Sequence, residues 1–155
     1  MPLKNTGPIY YSGKFQPFAK SIVSDGPIVF VSGSSGRLMD AKGKEYWPEG
    51  GNVGSSDISR QTWDALDKIR RNLEAAGAKL ENLLGLLQFV RADNTLADGE
   101  RVVTARIEYF RKYAPSLVDK PPTTTMVGVS TLFYSDMKIE ILAWACIPQK
   151  KSRRK

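Results

Sequence analysis

The sequence predicts an α+β fold in which a mixed β-sheet carries two helices on one face. Two segments repeat apolar residues at helical spacing, four others are β-branched or alternate between apolar and polar residues, and the two kinds are interspersed. The 155 residues, of which 41% are hydrophobic and 25% charged, suffice for one domain with its own core. We expect that domain to span residues 1–149, followed by a disordered basic tail at residues 150–155.

The first strand is predicted at residues 28–31 (IVFV), which Ser32 and Gly33 close. Because both of its alternating faces are apolar, both sides of this strand are expected to be covered. Residues 34–56 are rich in glycine and charge, so we expect a long irregular connection there, with a turn at residues 40–43.

The first helix is predicted from about residue 57 to residue 76. Six residues recur every three or four positions and therefore form a stripe along one face of this helix: Ile58, Thr62, Leu66, Ile69, Leu73 and Ala76. Ser55 or Ser56 is expected to cap the start of this helix, and Gly77 is expected to end it.

A second strand is predicted at residues 84–92, and a second helix from near residue 98 until Pro115. Two further strands, at residues 123–130 and 137–147, complete the fold. Along the last strand, one alternating face is entirely apolar and the other includes Lys138, Glu140 and Trp144. Two helices cover only one face of a sheet, and the other face is too apolar for water, so we expect it to pack against another subunit.

The residue counts exclude several kinds of chemistry. The chain has no histidine, which excludes Ser-His-Asp and Cys-His nucleophile systems, a histidine general base and any zinc site that needs histidine. The single cysteine, Cys146, excludes disulfide frameworks and CxxC metal knuckles. We therefore predict no metal and no cofactor, and expect carboxylates, hydroxyls, lysines, arginines or backbone amides to carry any reaction.

The net charge of +7 is concentrated at one end of the chain. The last six residues hold five of the 23 basic side chains, and the remainder has 18 basic and 16 acidic ones. Nucleic acid is therefore not the expected partner. The chain has no apolar run near the roughly 20 residues that span a bilayer and no secretory h-region at its start, which predicts a cytoplasmic protein without a membrane partner.

Glu140 is the first candidate for chemistry, because it is a carboxylate on a strand of mostly apolar neighbours. Such a position suits proton transfer, but a glutamate paired with Lys138 or with a backbone amide would give the same pattern. Residues 32–36 (SGSSG) form a turn of small residues that could present backbone N–H groups to an anion or a carbonyl oxygen, without the spacing or the lysine of a P-loop.

Several short motifs follow one another along the chain: residues 17–20 (PFAK), 28–33 (IVFVSG), the segment from Gln61-Thr62 to residues 72–78 (NLEAAGA), Asp93, residues 122–129 (PTTTMVGV) and residues 138–141 (KIEI). By the order and spacing of these motifs, the chain resembles the RidA/YjgF family, also described as the endoribonuclease L-PSP family, over roughly residues 17–148.

This resemblance implies a homotrimer, with a chorismate-mutase-like fold, whose sheets line a central barrel and whose small-molecule clefts lie between adjacent subunits. It also implies hydrolysis of enamines or imines, such as 2-aminoacrylate, to keto acids and ammonia without a cofactor. In such a site an arginine holds the substrate carboxylate and a glutamate positions water or moves protons. Glu140 matches that glutamate, Ser32 and Gly33 match the Ser-Gly of the cleft loop, and Ser34 follows where many members have glutamine.

At four other positions the chain departs from the family pattern. Phe18 replaces a tyrosine, Thr124 replaces the substrate-binding arginine, and Val103 and Arg106 replace an asparagine and a tyrosine. A threonine hydroxyl cannot form the bidentate contact of an arginine with a carboxylate.

The missing arginine leaves two explanations open. Either another cation (Arg91, Arg106 or Lys138) binds the substrate, or the ligand has no carboxylate. Aromatic residues at three positions suggest a larger or aromatic ligand: Phe18, Trp47 and Trp144. The leading hypothesis is thus a hydrolase or deaminase with an inter-subunit cleft, the alternative is a non-catalytic small-molecule-binding trimer, and the third is an endoribonuclease.

Overall fold

The computed structural model describes residues 4–11, 13–42, 44–46, 49, 51–91 and 95–147. In chain order the strands are β1 (Lys4–Asn5), β2 (Pro8–Tyr11), β3 (Lys14–Ala19), β4 (Ile22–Val23), β5 (Ile28–Ser35), β6 (Leu38–Met39), β7 (Glu45–Tyr46), β8 (Leu83–Arg91), β9 (Thr123–Val129) and β10 (Ile139–Cys146). The helices are α1 (Ile58–Ala75), α2 (Thr95–Tyr113) and α3 (Ser116–Asp119), with a 3-10 turn at Leu80–Asn82. The tail at residues 150–155 lies outside the described residues.

The main sheet has four strands in the order β5-β10-β8-β9. Strand β10 runs antiparallel to both of its neighbours, β5 and β8, whereas β9 runs parallel to β8. A parallel pair needs a long crossover connection, and α2 provides it between β8 and β9. The α+β class and the mixed sheet predicted from the sequence are confirmed.

Helix α1 buries five of the six residues of the predicted stripe, and none of the five has exposed surface: Ile58, Thr62, Leu66, Ile69 and Leu73. Ala76, the sixth, follows the last helical residue and is exposed. Asp57 caps this helix by accepting a hydrogen bond from the Arg60 backbone N–H at 2.9 Å. The predicted cap by Ser55 or Ser56 is wrong, because an aspartate one residue later reaches the same amide and also favours the positive end of the helix dipole.

The C-terminal end of α1 agrees with the sequence, since Gly77 adopts a left-handed backbone with a φ of 82°. Helix α2 begins at Thr95, three residues before the predicted start, and ends at Tyr113. The chain then forms the short helix α3 after Pro115, which the sequence analysis did not predict.

Three two-stranded antiparallel sheets, β1-β4, β2-β3 and β6-β7, were also not predicted. The expectation of an irregular connection over residues 34–56 is wrong at β6 and β7, which form a small hairpin. These strands have only two to six residues each, so their sequences contain too few alternations to reveal them.

The two faces of the main sheet have different surroundings. Alternate residues of β10 belong to the same buried core as α1 and α2: Ile139, Ile141, Ala143 and Ala145. The other face, which we call the outer face, carries Phe30, Leu142 and Trp144. Phe30 is 77% exposed. Trp144 is partly covered because it packs over Gly85, where any Cβ would collide with its ring. The outer face is thus apolar and incompletely covered within one chain.

Candidate functional site

A cleft of about 850 Å³ lies between β3, β9 and the N-terminal part of α2. Two of the residues singled out from the sequence, Phe18 and Thr124, line it together. Val103 and Arg106, which occupy the two other divergent positions, contribute to the same wall. The four departures from the family pattern therefore meet in one place. We call this cavity the helix-side cleft.

Arg106 is the most unusual residue of the helix-side cleft. This residue is 1% exposed, yet among the described residues its guanidinium contacts two neutral acceptors: Nη1 donates to Gln88 Oε1 at 2.6 Å and Nη2 donates to the Pro17 carbonyl at 3.1 Å. Burial lowers the pKa of the Arg106 guanidinium to about 10, so it stays charged at neutral pH. None of the described carboxylates forms an ion pair with it.

The periodicity of α2 contains the signal that would have identified Arg106 as buried. Positions i, i+3, i+4, i+7 and i+8 of a helix lie on one face. Five of the buried residues of α2 follow this series: Val102, Ala105, Arg106, Tyr109 and Phe110. A lone arginine within such a stripe must extend into the protein. Gln88, which sequence reasoning missed, gave no comparable signal because β8 is otherwise apolar.

Glu140 lies elsewhere, on the outer face. A β-bulge interrupts the pairing of β5 with β10 between the pairs Val31–Ala143 and Ser34–Ile141. The bulge brings the backbone of Gly33 against the Glu140 carboxylate so closely that a Cβ at residue 33 would overlap Oε1 and lie 2.9 Å from Cδ. The structure therefore brings Gly33 and Glu140 together, and only glycine leaves the carboxylate where it is.

The remaining predicted site residues divide between the two faces. Ser32 is exposed on the bulge, whereas Ser34 is 3% exposed and its Oγ donates to the Ser32 carbonyl at 3.3 Å. Arg91 is the last residue of β8 and lies on the outer face, like Phe89, which pairs with Glu140 across the strands. Its Nη1 donates a hydrogen bond to the Ser135 carbonyl. Lys138 binds Gln61 Oε1 through its backbone N–H at 2.8 Å. Of the three candidate cations, Arg106 is the one that lines the helix-side cleft.

The sheet itself separates Glu140 from the helix-side cleft. Glu140 and the core residue Ile141 are neighbours on β10, so their side chains point to opposite faces. Thr124 shares the cleft with residues of α2 and therefore lies on the helix side. One chain thus places the candidate residues in two groups on opposite faces of its sheet: the helix-side cleft, and the outer-face group Ser32, Gly33, Arg91 and Glu140.

The described residues include no cluster of three or more carboxylate, cysteine or histidine side chains that could hold a metal ion. None of the described helices combines the length and the hydropathy needed to cross a bilayer. Trp47, one of the aromatic residues named as a ligand contact, lies outside the described residues, and Trp144 lies on the outer face over Gly85.

Comparison with known proteins gives a consistent result. Residues 12–147 match the family model described as Endoribonuclease L-PSP. The YjgF gene product of E. coli is 27% identical with a TM-score of 0.60, over 80% of this chain and 84% of that one. Rv2704 of Mycobacterium tuberculosis, a member of the YjgF/YER057c/UK114 family, is 26% identical with a TM-score of 0.57, over 83% of this chain and 85% of that one.

A further solved structure supports the fold alone. YyfB of Yersinia pestis, a Rid-family protein, is 21% identical with a TM-score of 0.68, over 94% of this chain and 99% of that one. No curated protein sequence matches the chain significantly.

Proposed function

From the premise that the chain belongs to the endoribonuclease L-PSP (YjgF/RidA) family, we propose that it is a cofactor-independent hydrolase that deaminates an enamine or imine in a cleft between adjacent subunits of a homotrimer. Since its one cysteine, Cys146, is free, we expect it to act in a reducing compartment such as the cytoplasm. The contact between Gly33 and the Glu140 carboxylate is the observation that carries the proposal.

The incompletely covered outer face supports the assembly. Phe30, 77% exposed, and Val127, 38% exposed, lie on it beside Leu142 and Trp144, and burying such side chains is favourable by about 25 cal/mol per Å² of apolar surface. A second copy of the chain that packs against this face would also cover Glu140. The helix-side cleft of one subunit and the Glu140 group of its neighbour would then form one site.

The proposed reaction requires a proton carrier and a bound water. An enamine first tautomerises to the imine, in which its carbon has gained a proton and its nitrogen has lost one. Water then adds to the C=N carbon while Glu140 accepts one of the water protons and returns it to the nitrogen, which gives a carbinolamine. Glu140 next accepts the hydroxyl proton and passes it to the amino group, so that the C–N bond breaks, the C=O bond forms, and the products are a keto acid and ammonia. A carboxylate whose position is set by backbone contact suits this step, because proton transfer depends on placement within hydrogen-bond reach.

A non-catalytic ligand-binding trimer is the second candidate function, and Phe18 and Thr124 favour it. Both line the helix-side cleft, where they replace the hydroxyl and the guanidinium of the family's active members. A site that keeps Glu140 but lacks those two groups would bind a ligand without orienting it for attack by water.

Keto-acid release from enzymatically generated imines decides between these functions. Native protein should accelerate release of a keto acid from an aromatic 2-imino acid, and Glu140→Gln should abolish the acceleration because an amide cannot accept the proton. Hydrolysis of 2-aminoacrylate is expected to be weak, and Thr124→Arg should increase it by restoring the carboxylate contact. Full activity of Glu140→Gln would contradict the hydrolytic mechanism, and inactivity of the native protein on every imine tried would favour the binding function.

A further inference from the structure

The buried guanidinium of Arg106 has no anionic partner among the described residues. Its Nη atoms bind the Gln88 amide oxygen and the Pro17 carbonyl, which are both neutral. A charged side chain that is 1% exposed is normally paired, because removal of an ion from water is costly without an opposite charge. The described part of the chain leaves that pairing incomplete.

A second polar group beside Arg106 is also unsatisfied. Gln88 is fully buried, and its amide Nε2 has no hydrogen-bond partner among the described residues. A guanidinium has five N–H donors, of which the two contacts above use two. Among the described residues, Arg106 therefore keeps unused N–H donors, and because it lines the cleft, which Gln88 does not, an oxyanion in the cleft would bind Arg106.

The cleft into which Arg106 opens has room for more than an inorganic ion. Its volume is about 850 Å³, and its walls are largely apolar, formed by Phe18, Leu96, Val103 and Met126. Glu100 is the one carboxylate among the lining residues that the structure describes. An acidic side chain beside an apolar cavity disfavours a ligand with several negative charges, whereas a single carboxylate on an apolar body fits both features.

We propose that Arg106 is the anion-binding residue of the helix-side cleft, and that the ligand is a monocarboxylate with an apolar, preferably aromatic, body. The guanidinium thus takes over, from a different element of the fold, the contact that Thr124 cannot make. This inference rests on the proposed function for the location of the substrate, but it concerns binding alone and can hold in a protein that catalyses nothing.

The test uses three stable probes and the native full-length protein in isothermal titration calorimetry. The probes are 3-phenylpropanoate, its neutral isostere 3-phenylpropanamide, and propanoate. One charge-assisted hydrogen bond increases binding affinity roughly 10- to 100-fold, so 3-phenylpropanoate should bind at least about tenfold more tightly than 3-phenylpropanamide. The affinity for 3-phenylpropanoate should likewise be higher than the affinity for propanoate, which lacks the apolar body.

The variant Gln88→Glu supplies the missing counter-charge from within the protein. Glutamate is isosteric with glutamine, and it would accept from the Arg106 Nη1 that now lies 2.6 Å from the amide oxygen. We expect it to reduce the affinity for 3-phenylpropanoate about tenfold or more while leaving 3-phenylpropanamide unaffected, with no fall in melting temperature.

Gln16→Glu is the matched control, because it adds the same charge in the lining of the same cleft, where the native side chain donates to the Lys14 carbonyl instead of contacting Arg106. It should change the carboxylate affinity by less than about threefold. Arg106→Lys keeps the positive charge but loses the paired N–H donors of the guanidinium. Its affinity for 3-phenylpropanoate should therefore lie between those of the native protein and Gln88→Glu.

Three results would overturn the inference: no binding of the carboxylate at millimolar concentration, equal binding of acid and amide, or equal losses in Gln88→Glu and Gln16→Glu. Selective carboxylate binding that requires Arg106, in a protein that hydrolyses no imine, would support the inference while contradicting the proposed hydrolysis.

Discussion

Replacement of Gly33 by alanine should displace the Glu140 carboxylate without unfolding the protein. A Cβ at residue 33 would overlap Oε1 of Glu140 and lie 2.9 Å from its Cδ, whereas carbon atoms in contact prefer about 3.5–4.0 Å. The carboxylate must therefore move by about 1 Å. It is the end of a flexible side chain on a partly exposed face, so the cost in stability should be that of a distorted rotamer, about 0.5–1.5 kcal/mol.

The consequence for catalysis should be much larger. A misplacement of about 1 Å in an active site can cost on the order of 100-fold in rate. We therefore expect Gly33→Ala to reduce keto-acid release about 100-fold in the imine assay while shifting the melting temperature only slightly.

Gly77→Ala is the complementary control. Gly77 has a φ of 82° at the end of α1, and its added Cβ would contact nothing within 4 Å. This variant should lose about 1 kcal/mol of stability from backbone strain and keep full activity. If Gly33→Ala retained native activity, or lost activity only in proportion to its stability, the glycine would have no role in placing Glu140.

Three further predictions concern stability and assembly. Glu45→Gln should destabilise the protein by about 1–3 kcal/mol, because it removes the carboxylate that pairs with a buried ammonium group. Lys68 Nζ lies 3.0 Å from Glu45 Oε1, and the Lys68 side chain is only 3% exposed. Burial opposes the charge on Glu45, but Lys68 and Arg37 hold the pKa of its carboxyl below the ordinary value. Urea unfolding of the native protein should therefore show this stabilisation above about pH 4.5, and the stabilisation should be lost as the pH falls. A Glu45→Gln variant with unchanged stability would contradict the pairing. Phe30→Glu should shift sedimentation equilibrium towards the 17.2 kDa monomer, and a native protein that is already monomeric would refute the assembly. Deletion of residues 150–155 should leave the melting temperature unchanged, because β10 ends at Cys146; a large decrease would show that the tail is packed.

The elements of the main sheet and its two long helices could be predicted because each contains enough repeats to show a period. Helix α1 has 18 residues, and its buried stripe is visible in the order of its side chains. By contrast, β1, β4, β6 and β7 have two residues each, and their pairing depends on contacts with distant segments that no local pattern records.

The candidate site could be predicted only as a set of residue types. Phe18 and Thr124 were identified by position, but their meeting with Arg106 depends on contacts between segments 18 to 89 residues apart in sequence. The approach of Gly33 to Glu140 depends on a bulge in the pairing of β5 with β10, and a register shift is a property of two strands together. Distances, burial and unpaired charges of this kind require the folded chain.

The central claim is that each active site combines the helix-side cleft of one subunit with Glu140 of its neighbour, and subunit mixing tests it most directly. Thr124→Trp, which fills the cleft, and Glu140→Gln should each be inactive alone. When differently tagged copies of the two variants are co-assembled in equal amounts and the mixed oligomers are purified, one of the three sites in each mixed trimer should be native, and the rate should be about a third of the native rate. Mixed oligomers that show no more activity than the separate variants would contradict a site shared between subunits.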